Sequence, residues 1–273
     1  MKYKEYESHN SLKDYINCFW ILEKEYDFNN RIELVFPDSY IEMIFHYGSP
    51  YKLLTTSGLQ LLPPTFLIGL LSKPLSLYSD GLTKIICIRF YPWGARTFFP
   101  DHIKQSHNHA SGVTFKGNSL VDELKELLDR GNYDLAVELL QNSLLEFVVK
   151  SVYKPEIVRN ASEYLFRKKG QCRIDEVADY CHRSLRQVQR NFNDEMGIPM
   201  KSVAKNFRFD EIKKKLTKYP DSNFTDIAFE FGFYDLAHFL KEFKGFTGLS
   251  PSDFCAQIKE IKSQWGENVV FLQ

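Results

Sequence analysis

Two clusters of side chains in the C-terminal third have the types and spacing to read a nucleic-acid duplex. The first is Arg186, Gln189 and Arg190. An arginine fork matches the acceptors on a guanine edge, and a glutamine amide matches the acceptor and donor on an adenine edge. The second is Ala237, His238 and Lys241. It is a weaker reader, because alanine offers a thymine only methyl contact and Lys241 suits a phosphate. Each cluster follows a residue fit to start a helix. Ser184 and Gln187 form an S-x-x-Q capping box, and Asp235 suits a cap that the helix dipole favours. On the first helix, Leu185, Val188 and Phe192 would pack inward. On the second, Leu236, Phe239, Leu240 and Phe243 would do so.

Aligning the segment with itself exposes a repeat of about fifty residues. Val177-Ala178 recurs as Ile227-Ala228, His182 as Gly232, Phe192 as Phe243, Gly197 as Gly248 and Pro199 as Pro251. Each copy reads as a short helix, a tight turn, a second helix and a Gly-x-Pro or Gly-x-Ser-Pro exit. Such a reversal needs positive φ, which Gly232 adopts without cost and His182 tolerates better than most side chains. Two helices joined this way form the unit that lays its second helix in the major groove. A plain helical bundle with solvated polar faces is the alternative, and the duplication of cap, turn, apolar face and exit weighs against it. Between the copies runs KSVAKNFRFDEIKKKLTKY, a helix about 27 Å long at about 1.5 Å per residue, enough to hold the reading helices about one DNA turn apart.

The elements around these units divide the chain. Its 273 residues suit two domains, and 44% hydrophobic and 15% aromatic residues suffice for a core in each. Residues 1–91 read as successive strands: NCFWILEKE, RIELVFP, YIEMIFHY, PTFLIGL and TKIICIRFY. WGARTFF reads as a short helix, DHIKQSHNHASG as a polar loop, and 119–130 and 133–152 as helices. Pro155 would open the next helix, which puts the domain boundary near 153. The expected fold class is α+β: an antiparallel β-barrel with flanking helices at 1–153, an all-helical domain at 154–262 and a tail at 263–273. The formal net charge is zero, but residues 151–273 carry 20 Lys/Arg against 17 Asp/Glu. That mild excess requires placed contacts rather than bulk attraction. Five scattered cysteines without a C-x-x-C pair suggest reduced thiols, and no apolar run reaches about 18 residues. A cytoplasmic protein with no membrane partner is expected.

The segment 157–256 resembles the DNA-binding domain of the AraC/XylS family of bacterial transcription regulators. DIAFEFGFYDLAHFLKEFKGFTGLSPSDF fits that family's signature I-A-x-x-x-G-F-x-x-x-x-x-F-x-x-x-F-K-x-x-x-G-x-S-P-x-x-[YF] nearly throughout. Ser184, Arg186, Val188, Arg190 and Phe192 match S-x-R-x-L-x-R-x-F, whereas His182 and Arg183 depart from the pattern. The resemblance implies base contacts from Arg186, Gln189 and Arg190 in the first unit and from Ala237, His238 and Lys241 in the second. It further implies double-stranded DNA and RNA polymerase as partners and no cofactor, with activation and repression both open as outputs. Leu12, Tyr15, Ile16, Phe19 and Trp20, then Phe36-Pro37-Asp38 with Glu42, and Ile88-Arg89-Phe90 with Pro92, Gly94 and Ala95 are similar to a less characterised sensor type of that family. That similarity implies a cupin-like barrel.

A barrel mouth suits a small effector. Arg89, Trp93 and Arg96 lie on or just beyond the last expected strand, and Glu42 and His46 share one face of an earlier one. Arginine with aromatic side chains would suit an anionic or sugar-like molecule. Alternatively, Arg89 pairs with Asp38 or Glu42 inside the barrel. Asp101, His102, His107 and His109 sit in a polar loop without a converging partner set, so no metal site is expected. The broad apolar stripe of 133–152 would pack on the barrel or contribute to a homodimer seam. Two rival functions remain. A DNA-modifying or repair enzyme would need a reactive cysteine, and Cys18 and Cys87 fall in buried strand patterns. The other rival is a regulator switched without a small molecule.

Overall fold

The computed structural model describes residues 1–28, 31–115, 118–150 and 156–265. Among the described residues, ten strands form two antiparallel sheets. They are β1 (Lys2–Glu7), β2 (Ile16–Tyr26), β3 (Ile32–Val35), β4 (Ile41–Gly48), β5 (Lys52–Thr55), β6 (Gly58–Leu61), β7 (Thr65–Ile68), β8 (Leu75–Tyr78), β9 (Gly81–Phe90) and β10 (Ala110–Gly112). One sheet has the order β1-β2-β9-β4-β7-β10 and the other β3-β8-β5-β6. The antiparallel β-rich domain expected from the sequence is thus present, as two sheets facing one another.

The long strands are apolar on both faces because the six-stranded sheet is covered on both. Trp20, Leu22, Ile44, Phe66, Ile68, Ile85 and Cys87 point between the sheets and meet Leu53, Leu75 and Leu77 of the smaller one. The alternate residues Phe19, Ile21, Met43, Phe45, Leu67, Ile86 and Ile88 face the helices. Register brings Arg89 opposite both Cys18 and Glu42. Strands carry successive side chains to opposite faces, so Glu42, His46 and Arg89 all share the inner one.

Ten α-helices occur among the described residues, the first of them before β10: α1 (Pro92–Phe98), α2 (Asn118–Asp129), α3 (Tyr133–Lys150), α4 (Glu156–Arg167), α5 (Ile174–Tyr180), α6 (Leu185–Met196), α7 (Met200–Lys218), α8 (Phe224–Glu230), α9 (Leu236–Thr247) and α10 (Pro251–Trp265). The expected boundary near 153, the opening proline at 155 and tail residues 266–273 lie outside the described residues. The apolar core runs continuously across that boundary, from Leu12 on the strand side through α1 and α4–α6 to Phe207 of α7. A separate core begins with Phe209, Ile212 and Leu216 on the far half of α7 and continues into α8–α10. The helix between the repeats therefore belongs to both cores, and the first helical unit is built onto the sheet domain.

Candidate nucleic-acid interface

Each unit is shaped by its turn. After α5, His182 takes φ 51°, and after α8, Gly232 takes φ 72°. Backbone amides close the turns in the same way: Arg183 N–H donates to Ala178 O at 3.2 Å, and Phe233 N–H to Ala228 O at 2.9 Å. Ser184 then caps α6, its hydroxyl accepting from Gln187 N–H at 3.3 Å. Asp235 caps α9, accepting from His238 N–H at 2.7 Å. Both helices have 12 residues and end at a left-handed glycine, Gly197 at φ 70° and Gly248 at φ 77°. The two capped helices therefore correspond position by position when counted from their caps. The repeat offset changes from fifty to fifty-one because Tyr234, 88% exposed, is an extra residue in the second turn.

The inner face of α6 is Val188, Phe192 and Met196, and that of α9 is Phe239, Phe243 and Phe246. Arg186, Gln189 and Arg190 are exposed on α6, and Ala237, His238 and Lys241 on α9, while Gln187 is half-buried. The His238 ring also stands edge-on to Phe233, with centroids 5.4 Å apart. Two leucines expected inside are outside: Leu185 is 38% and Leu240 37% exposed. Counting from the caps gives the reason. Leu240 is the fifth residue after Asp235, as Gln189 is the fifth after Ser184, so it shares the outward phase of the first unit's glutamine.

The expected effector residues do not converge on one opening. Glu42 and Arg89 are buried together, with Arg89 Nε and Nη2 at 2.9 and 2.8 Å from Glu42 Oε1. Trp20 Nε1–H also donates to that oxygen at 3.1 Å. Burial opposes the Arg89 charge, but Glu42 and Asp38 hold its pKa well above the ordinary value. His46 accepts from Tyr51 N–H through Nδ1 and has Pro63 O 2.7 Å from Nε2; burial lowers its pKa. Trp93 stacks on Tyr91 and donates to Asp14 O at 2.7 Å. Arg96 reaches across to α6, with Nε and Nη2 each 2.7 Å from Glu195 Oε2. A recess of about 420 Å³, counting its open mouth, lies between the sheets against Trp20, Glu33, Glu42, Tyr51, Ile68 and Leu77.

A polar seam between the sheet domain and α7 was not foreseen. Asn206 donates to Asp38 O at 3.2 Å and to Leu71 O at 2.8 Å. Lys214 Nζ lies 2.9 Å from Asp210 Oδ2, and fully buried Lys213 lies 4.0 Å from Oδ1. Burial lowers the Lys213 pKa, and it pushes the Asp38 carboxyl up to about 7 although Arg89 works against that rise. In sequence, Lys213 is one member of a KKK run and resembles a solvated face. Its burial is set entirely by what α7 packs against.

No group of three or more His, Cys, Asp or Glu side chains able to hold a metal occurs among the described residues. His107 instead faces Leu70 O at 2.7 Å, and Asn108 beside it takes φ 55°. No described helix is long and apolar enough to cross a membrane.

Two family models match the chain. Residues 4–111 match a domain of unknown function, DUF6597, and residues 177–257 match a helix-turn-helix domain. Uncharacterized HTH-type transcriptional regulators of Staphylococcus aureus, among them one from strain N315, are 30% identical over 81 residues, which is 30% of this chain. The matched segment spans only 11% of the length of those relatives. Among solved structures, ToxT from Vibrio cholerae O395 bound to (E)-4-(8-methylnaphthalen-1-yl)but-3-enoic acid is similar over 94% of this chain and 100% of its own, at 11% identity and a TM-score of 0.50. An apo ToxT variant from strain SCE256 gives 11% identity and 0.50 over 92% and 99%. At that identity the likeness is one of fold.

Proposed function

We propose that this chain, which carries an AraC-type helix-turn-helix domain, is a cytoplasmic transcription regulator that reads double-stranded DNA through α6 and α9. One observation carries the reading. Two helices of equal length, capped and terminated alike, each present outward side chains over a firmly packed inner face: Arg186, Gln189 and Arg190 on α6, and Ala237, His238 and Lys241 on α9. Affinity would come mainly from phosphate contacts and sequence choice from the triads. Ser184 and Asp235 serve by fixing where each helix starts. Gln187, half-buried at the third position after its cap, flanks the base-reading face.

The sheet domain is the natural input. Its recess and the Glu42–Arg89 pair lie on the inner face, and the Asp38–Asn206 contact ties the same region to α7. A small molecule entering beside Glu42 would thus act on the helix that spaces the two readers. That ToxT, similar in fold, has been solved with a small acid supports an effector of this kind. His46, Trp93 and Arg96 would then shape the scaffold around it rather than touch it. RNA polymerase is the further partner this role implies. A homodimer would have to form away from the buried stripe of α3, whose Ala136, Val137, Leu140 and Leu144 are inside the core.

The chain acts by binding rather than catalysis in this account. Burial raises the Cys18 thiol to about 12 and the Cys87 thiol well above its ordinary value, which suits neither for alkyl transfer. The test is selection of duplexes from a random pool by the full chain. Arg190→Ala is expected to weaken binding to the selected site by about 1–3 kcal/mol and relax the choice at one base pair. Unchanged discrimination between selected and scrambled duplexes in that variant would refute the assignment.

A further inference from the structure

The two reading faces differ in chemistry more than a duplicated domain requires. Counted from the caps, Arg186 corresponds to Ala237, Gln189 to Leu240 and Arg190 to Lys241. The first face carries two guanidinium forks and an amide. At the equivalent positions the second carries a methyl, an isobutyl group and one ammonium. Leu240 is 37% exposed although Phe239 and Phe243 beside it are completely buried. It is thus held out of the core by the phase of the helix, at the position where the first unit displays Gln189. Neither Ala237 nor Leu240 can donate or accept a hydrogen bond, so neither can read guanine, cytosine or adenine by its polar edge. The one apolar feature that a base pair displays in the major groove is the thymine C5-methyl group.

We propose that the second recognition helix is a thymine reader, in which Leu240, flanked by Ala237, packs on thymine methyl groups while Lys241 anchors the backbone. This rests on the DNA-reading function proposed above and specifies its substrate. The preferred site is bipartite: guanine and adenine contacts under α6, and a thymine-bearing segment under α9.

Deoxyuridine differs from thymidine in that methyl alone, which makes the test direct. Duplexes are selected from a random pool with the full-length protein, and each thymine of the enriched site is then replaced singly by deoxyuridine. Burying one methyl is worth about 0.8 kcal/mol, or about fourfold in affinity. At least one replacement under α9 should therefore weaken wild-type binding about fourfold. Leu240→Ala should bind the thymine duplex more weakly by a similar factor and lose sensitivity to that replacement. Because Leu240 is exposed, the variant should melt like the wild type. Lys241→Ala should bind less tightly at every site and keep the deoxyuridine sensitivity. Leu240→Gln, which copies the first unit, should shift the enriched base at that position from thymine to adenine. Wild-type indifference to every deoxyuridine overturns the proposal, as does undiminished sensitivity in Leu240→Ala or retained thymine preference in Leu240→Gln. If no duplex is enriched at all, DNA reading itself falls, an outcome distinct from enrichment without methyl dependence.

Discussion

Gly232 and Gly170 share a left-handed backbone but not a setting, so one substitution made at each separates conformational strain from collision. Gly232 takes φ 72°, and a Cβ there would meet nothing within 4 Å. Alanine at 232 therefore costs backbone strain alone. The left-handed region is worth about 1–2 kcal/mol against a non-glycine residue, and the stiffer unfolded chain returns about 0.4–1 kcal/mol of it. A net loss of about 1 kcal/mol is expected. Gly170 takes φ 67°, and its Cβ would lie 1.9 Å from Ala204 O and 2.9 Å from Arg208 N, both on the backbone of α7. Relieving that overlap means moving α4 away from α7, an overpacking cost of about 1–3 kcal/mol on top of the strain. Gly170→Ala should thus lose about 2–4 kcal/mol. Urea unfolding of both variants measures the difference, and binding to a selected duplex reports the reading geometry. Gly232→Ala should weaken specific binding as well, since its turn aims α9. Equal losses at 170 and 232, or no loss at 232, would refute the reasoning.

Three further outcomes follow from the seams of the molecule. A double-mutant cycle on Arg96→Ala and Glu195→Ala should give a coupling of about 1–2 kcal/mol by urea unfolding, because the pair is largely shielded from solvent. Additive losses would mean that the sheet domain does not grip α6 through this pair. Asp38, pushed up to about 7 by burial, holds its proton in the folded chain over a range where the unfolded chain has released it. Folding stability should accordingly fall as pH rises from the ordinary carboxylate range to about 7 and level off above it. The slope is bounded by about 1.4 kcal/mol per pH unit, the limit for a single proton. Asp38→Asn should flatten that part of the profile, and an identical profile in the variant would contradict it. Asp235→Ala should cost about 1 kcal/mol by removing the cap on α9, measured by the same unfolding experiment.

Much of the reading apparatus was legible in sequence because it is local. Caps, the positive-φ turns and left-handed exits depend on residues within a few positions of each other, and Ser184, His182, Gly232 and Asp235 all do what their types suggest. The phase of the helices was less secure. Leu185 fits an apolar i, i+3, i+7 pattern with Val188 and Phe192, and Leu240 stands at i+4 from Leu236, yet only the true cap position decides which side of the stripe each falls on. Long strands such as β2, β4 and β9 were visible through their continuous apolar runs. The four-residue strands β5, β6 and β8, and the charged edge strand β1, carry too few inward side chains to stand out. Partnerships across the chain could not be read at all. Whether Arg89 met Glu42, Asp38 or a ligand was an open choice. The burial of Lys213 and the reach of Arg96 to Glu195 follow only once α7 and α6 lie on the sheet domain.

Hydroxyl-radical footprinting of the full-length protein on its selected duplex tests the central claim most directly. Two protected stretches about one helical turn apart on the same face of the DNA are expected. Arg190→Ala should weaken one of them and Leu240→Ala the other. A single protected stretch, or protection that neither variant alters, would contradict reading by two equivalent helices.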